Sequence, residues 1–242
     1  AYQQMTTTGQ TAISPFAILD AIPEPDRVGF YQSFASAESL DQIAELIYDV
    51  LSACIPLDGM LFNLLDYKKA GLTCQYIKLP EEFKGIEKTY LEYCFYLDRV
   101  DANTEAFNKQ KVIYVTAENL ETFGENTSSR FARWLMTQMV VVPLRREIGP
   151  VGTLALLTQR GEIDPDRVEM IEAFVSTFIP RIQSAYRLSE LEAYSEKFQS
   201  ANAEQQRFIR FISDINNLNN TESIYKIFCK ELLLRLGFTM SG

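Results

Sequence analysis

The side chains that carry most enzyme chemistry are scarce in this chain. Its 242 residues include no histidine. A Ser-His-Asp triad, a Cys-His dyad, a His-ligated haem and a His-containing zinc site are therefore excluded. The remaining strong nucleophiles are Cys54, Cys74, Cys94 and Cys229. None forms a C-x-x-C pair, so zinc and iron–sulfur frameworks have no support. Cys54 and Cys229 fall on apolar helix faces, and the four read as reduced structural thiols. Among 32 carboxylates no acid/base pair stands out, so neither catalysis nor a cofactor is expected.

Binding chemistry has better candidates. Tyr90, Tyr93, Phe95 and Tyr96 surround Cys94, an arrangement that suits either a wall for a planar ligand or ordinary rim packing. Asn126-Thr127-Ser128-Ser129 supplies N-cap residues for a helix through Met136. Ser128, Ser129, Arg130 and Arg133 then sit at a helix start, where an anion is favoured. Trp134, the only tryptophan, reads as an anchor of that helix to a sheet. Gly149-Pro150-Val151-Gly152 lacks the Lys-Ser/Thr of a phosphate loop and reads as a hairpin turn.

These residues need a scaffold, and the composition provides for one. Apolar residues make up 47% and aromatic residues 12%, enough for a sizeable core and too much for a disordered chain. A net charge of −9 argues against binding to phosphate backbones or anionic membranes. The first residues, AYQQMTTTGQ, have no apolar signal region, and no run approaches the roughly 20 apolar residues of a membrane span. The expectation is a cytoplasmic stretch of a longer protein.

Helical spacing marks Phe30, Tyr31 and Phe34, then Leu40, Ile43, Ile47, Val50, Leu51 and Cys54. Met60–Leu65 and Leu72–Leu79 read as a hairpin, with Leu72, Cys74 and Tyr76 on one face. Residues 80–125 are the least regular part. Within them Ile86, Tyr90, Leu91, Cys94 and Leu97 suggest a helix, and Val112–Val115 a short strand. Met139–Leu144 and Val151–Thr158 form a second hairpin.

From Asp164 a long helix begins, with Pro165 in its first turn. Ile171, Val175, Phe178, Ile182 and Ala185 recur at spacings of 4, 3, 4 and 3, and Leu188, Leu191, Tyr194 and Phe198 continue the stripe. A helix of roughly 45–50 residues must bury such a stripe on a partner, most simply a second copy. The expected seam is Ile171, Val175, Phe178, Ile182, Ala185, Leu188, Leu191 and Phe198, with a bend at Pro180.

The order helix–hairpin–irregular segment–hairpin–long helix, with Val140-Val141-Val142-Pro143-Leu144 and then Gly149-Pro150-Val151-Gly152-Thr153-Leu154, resembles the GAF domain family over roughly residues 30–186. The resemblance implies an α+β fold: a central antiparallel sheet of five to six strands, helices on one face, loops over a ligand pocket on the other, and a long C-terminal coiled-coil helix. It implies a regulatory module of a multidomain, typically bacterial, signalling protein. Residues 1–26 would be a tail, 27–163 the GAF domain, 164–215 the signalling helix, and 216–242 the opening helix of a truncated second copy.

The pocket so implied lies between the sheet and residues 83–126. Phe62 and Tyr76 would form its floor, Tyr90, Tyr93 and Cys94 its wall, and Tyr114, Phe131 and Trp134 its far side, with Ser128, Ser129 and Arg130 meeting an anion. Two branches of the family do not fit. The N-K…F…D-E signature of cyclic-nucleotide binders is replaced by Thr158-Gln159, Ile163 and Arg167-Val168, and bilin or haem attachment lacks its histidine. The expected function is ligand sensing transmitted through a dimeric helix. The alternatives are a ligand-free dimerisation module, or thiol redox chemistry at Cys74 and Cys94 as in GAF-fold methionine sulfoxide reductases.

Overall fold

The computed structural model describes residues 14–91, 93–146, 149–216, 225–226 and 229; expectations for the first 13 residues and most of 216–242 lie outside them. Contacts divide the chain into residues 1–186 and residues 187–242.

The first unit is organised by one sheet. Helix α1 (Glu24–Ser36) and helix α2 (Leu40–Cys54) precede strands β1 (Gly59–Asp66) and β2 (Gly71–Lys78). A short helix α3 (Glu87–Tyr90) and strand β3 (Cys94–Tyr96) follow, then α4 (Ala102–Lys109), β4 (Ile113–Thr116) and α5 (Gly124–Arg133). Strands β5 (Gln138–Arg146) and β6 (Gly149–Thr158) lead into α6 (Pro165–Asn216). The six strands are ordered β3-β2-β1-β6-β5-β4, every neighbouring pair antiparallel.

Local chemistry explains where the elements begin. Ser39 caps α2 by accepting from Gln42 N at 3.2 Å while the Gln42 amide oxygen accepts from Ser39 N, a reciprocal capping box. Its stripe of Ile43, Ile47, Val50 and Leu51 is buried. Gly152 lets β6 approach β1, because a Cβ there would collide with the Asn63 carbonyl oxygen.

Each sheet face has its own core. On one face Met60, Phe62, Leu64, Val140, Val142, Leu154 and Leu156 pack against α1, α2 and the first half of α6. On the other, Leu61, Leu72, Cys74, Val141, Ala155 and Leu157 pack against α4, α5 and Trp134. The long helices thus share one face as expected, and short helices cover the other.

Four expectations are corrected. Residues 86–97 are not one helix: α3 is a single turn, and Cys94–Tyr96 pair with β2 as an edge strand. Leu72, Cys74 and Tyr76 do not share a face. Phe62 opposes Tyr76 while Asn63 opposes Cys74, so Gln75 is an unpaired bulge residue that turns Tyr76 to the other side. The packed unit starts before residue 27, since Ile18 and Leu19 are buried in the helix-side core. Finally, Ile171, Val175, Phe178 and Ile182 are buried within one chain, and Ala185 packs half-buried beside them. Burial of each such side chain stabilises by roughly 1.5–3 kcal/mol, and here that gain serves the chain's own core. These five residues are therefore not a seam between copies.

The helix α6 runs through Pro180 without interruption. In its second-unit portion Leu188, Leu191, Tyr194 and Phe198 are exposed, as are Phe208, Ile209 and Ile212.

Candidate functional site

The richest convergence of polar side chains lies on the α4/α5 face. Asp101 caps α4, accepting from Asn103 N at 2.9 Å, and Thr104 completes the capping box from the N3 position. That cap fixes the Asp101 carboxylate inside the fold. Its second oxygen accepts from the guanidinium of Arg130, which α5 brings alongside and which also lies 4.7 Å from the Phe95 ring centroid. Only 4% of the Asp101 side chain and 6% of the Arg130 side chain are exposed, so each charge depends on the other.

A hydrogen-bonded chain runs inward from this pair. Asn103 Nδ2 donates to Asp101 at 3.0 Å, and Asn63 Nδ2 donates to Asn103 Oδ1 at 3.0 Å and to Thr153 Oγ1 at 3.1 Å. Thr127 Oγ1 accepts from Ala102 N at 3.1 Å, joining α5 to α4. The chain thus links α4 and α5 to the two central strands β1 and β6. Asn63 Oδ1 is buried without a hydrogen-bond donor.

Outward, Asp101 is part of the wall of a cleft of about 330 Å³ over the β3 edge, lined by Lys69, Tyr93, Cys94, Phe95, Tyr96, Arg99, Asp101 and Asn126. Tyr93 packs edge-on to Phe95 at 4.9 Å, and the Arg99 guanidinium lies 5.5 Å from the Tyr96 ring centroid. Arg130 neutralises Asp101, and Arg99 and Lys69, the latter 4.0 Å from the Asp66 carboxylate, lie at the rim. The cleft can accept a small anion with a planar or apolar body against Tyr93 and Tyr96.

Of the candidate ligand residues, Tyr93 and Cys94 reach this cleft. Tyr90 packs edge-on to Trp134 at 5.1 Å, and Trp134 and Phe131 are core. The proposed far side is therefore filled, and Trp134 anchors the end of α5 to the sheet as its sequence position suggests. Phe62, Tyr76 and Tyr114 belong to the opposite face and cannot line a site with Tyr93. Ser128 and Ser129 are not at a helix start, since α5 begins at Gly124; Ser128 Oγ donates to the Gly124 carbonyl at 3.1 Å. Arg130 is engaged with Asp101, and Arg133 is exposed. Sequence reasoning missed Asp101, Asn103, Asn63 and Thr153. The legible signals were Asn63 inside an apolar strand and the cap pattern Asp101–Thr104.

The thiols are not brought together. Cys94 opposes Thr73 and shares its face, whereas the adjacent Cys74 points to the other face. Burial pushes the Cys74 thiol up to about 12, and burial also raises Cys94 and Cys54, so none is activated as a thiolate. Among the described residues no group of three or more Cys, Asp and Glu is placed to hold a metal ion, and no helix is long and apolar enough to cross a membrane.

No family model matches the chain, and no curated protein matches it. Solved structures do. The GAF domain of a two-component sensor histidine kinase from Bacillus halodurans is 17% identical and covers 66% of this chain and 99% of its own, with a TM-score of 0.51. The GAF domain of a phosphoenolpyruvate-protein phosphotransferase from Coxiella burnetii is 12% identical over 76% of this chain and 99% of its own, with a TM-score of 0.53. The free methionine-R-sulfoxide reductase from Neisseria meningitidis is 14% identical over 66% of this chain and 87% of its own, with a TM-score of 0.51. The fold is that of GAF domains.

Proposed function

We propose that this GAF-fold chain is a regulatory, non-enzymatic sensor module of a signalling protein. In this reading a small anion with a planar or apolar body enters the cleft at the β3 edge, and α6 carries the response to an output domain. The observation that carries the reading is the cleft itself: an open volume rimmed by Lys69, Arg99, Tyr93 and Tyr96 and backed by the buried Asp101–Arg130 pair. Fixed polar walls beside apolar surface are what small-molecule sites require. That GAF domains of a two-component sensor histidine kinase and of a phosphoenolpyruvate-protein phosphotransferase share this fold supports the reading. Four free thiols fit a reducing, cytoplasmic location. A parallel homodimer through Leu188, Leu191 and Phe198 completes the reading, since these side chains are exposed at helical spacing.

One observation favours a second reading. Trp134 and Phe131 fill the space between the sheet and α5, which suits a ligand-free dimerisation module. A thermal-shift screen of planar aromatic carboxylates and small phosphates separates the two. Stabilisation lost in Lys69→Glu and Arg99→Glu supports sensing. A silent screen, with dimerisation intact, supports the second.

A further inference from the structure

The two edges of the sheet are finished differently. At the β4 edge the Asn119 side chain stands where a further strand would pair. Its Oδ1 accepts from Thr116 N at 2.9 Å, and its Nδ2 donates to the Tyr114 carbonyl at 2.8 Å. A side chain that satisfies the outer main-chain groups closes an edge to further pairing. The β3 edge has no such plug. There Cys74 N donates to the Tyr93 carbonyl at 2.9 Å and Leu97 N to the Ala70 carbonyl at 3.2 Å, with Phe95 opposite Leu72 between them. Antiparallel pairing alternates along a strand, so the Tyr93 carbonyl, Phe95 and the Leu97 N–H face β2, while Cys94 and Tyr96 turn their main-chain groups away from the sheet. The Tyr96 carbonyl accepts from Arg99 N at 3.0 Å. That leaves the Cys94 N–H, the Cys94 carbonyl and the Tyr96 N–H without a partner among the described residues, and both residues line the β3-edge cleft.

We propose that the β3-edge cleft takes the C-terminal end of a short peptide, added parallel to β3 as a further strand. Outward main-chain donors and acceptors at a two-residue repeat are the complement of another main chain. Parallel addition gives each of them a partner. The amide N–H of the peptide's last residue donates to the Cys94 carbonyl. The Cys94 N–H donates to the carbonyl two residues earlier, and the Tyr96 N–H donates to the terminal carboxylate. The middle residue turns its main-chain groups away from β3. Beyond Tyr96 the Arg99 guanidinium lies 5.5 Å from the Tyr96 ring centroid and has no carboxylate partner among the described residues, so it stands at the carboxylate end. Lys69 has no part in this, since its ammonium lies 4.0 Å from the Asp66 carboxylate. The cleft volume of about 330 Å³ and the three residues of β3 limit the ligand to a few terminal residues. The inference rests on the reading that this cleft binds an anion, and it names the class of that anion.

The test is a titration of the isotope-labelled whole chain with acetyl-Val-Thr-Val bearing a free C-terminus, with benzoate run beside it. The expected result is saturable peptide binding that slows amide hydrogen exchange at Cys94 and Tyr96 at least fivefold and leaves Phe95, already bonded to β2, unchanged. Benzoate has no main chain and leaves exchange at Cys94 as it was. N-methylation of the last amide and conversion of the carboxylate to a carboxamide should each weaken the peptide at least tenfold. N-methylation of the middle amide should change binding less than threefold. These ligand changes leave the protein untouched, so no loss can be a folding defect. Arg99→Gln, at an exposed position and verified to fold by thermal unfolding, should weaken binding at least fivefold. Equal losses from the two N-methylations, or full binding of the carboxamide, overturn the proposal. Benzoate binding without peptide binding overturns it and leaves the anion cleft standing, whereas silence from both ligands overturns the two together.

Discussion

The Arg130 guanidinium donates to the Asp101 carboxylate inside the fold, joining the middle of α5 to the cap of α4. Asp101 lines the β3-edge cleft and begins the hydrogen-bonded chain to Asn63 and Thr153. Removing one partner strands the other charge in the interior. Asp101→Ala is expected to destabilise the protein by about 3–5 kcal/mol, and the paired change Asp101→Leu with Arg130→Met by clearly less. Urea unfolding of the two variants checks this. Equal losses would mean that packing, not charge compensation, dominates there.

Trp134 is fully buried against Tyr90. As the single tryptophan it reports its own surroundings. Native emission should be blue-shifted relative to the urea-unfolded chain, and Trp134→Ala should cost about 3–5 kcal/mol. Solvent-like emission from the native protein would contradict this packing.

Burial raises the Cys74 thiol from an ordinary 9.0 to about 12. Between those values the unfolded chain has released the proton and the folded chain has kept it. Unfolding is therefore favoured as pH rises through this window, by at most roughly 1.4 kcal/mol per pH unit, and Cys74 contributes no slope below about 9. Urea midpoints from pH 8 to pH 10 should fall more steeply for the wild type than for Cys74→Ala. At pH 8 a thiol reagent should modify exposed Cys229 and leave Cys74 intact until unfolding. Parallel midpoint curves for the two proteins would remove the linkage.

If copies pair through the second unit, Leu191→Glu with Phe198→Glu should convert dimer to monomer in sedimentation equilibrium while leaving the melting of the first unit unchanged. Both positions are exposed within one chain, so the substitutions disturb no core. Dimers that persist in this variant would exclude that seam.

The comparison of sequence with structure separates two kinds of signal. α2, β1, β5, β6 and α6 were legible because apolar periodicity and caps agree in each. β3 was not, because Tyr90, Leu91, Cys94 and Leu97 fall at helical spacing although Cys94, Phe95 and Tyr96 pair along an edge. α4 went unread because its signature is polar, an Asp101–Thr104 cap over few apolar residues. The misplacement of Tyr76 has a single cause, the extra residue Gln75, which reverses every later side chain of β2. The Ile171–Ala185 part of the stripe on α6 was found correctly and assigned to the wrong partner. Spacings of 4 and 3 say that a helix face is buried, and they do not say whether a sheet of the same chain or a second helix buries it. The candidate site suffered most, because it depends on which sheet face each side chain takes.

The most direct test of the sensing role is amide chemical-shift mapping. The labelled chain is titrated with the best stabiliser from the screen of aromatic carboxylates, or with inorganic phosphate and benzoate if none stands out. Saturable shifts confined to residues 69–71, 93–103 and 126–130, and lost in Lys69→Glu, are the expected result. Shifts that centre elsewhere, or survive Lys69→Glu unchanged, or fail to appear with any of these anions, would contradict a ligand site at the β3 edge.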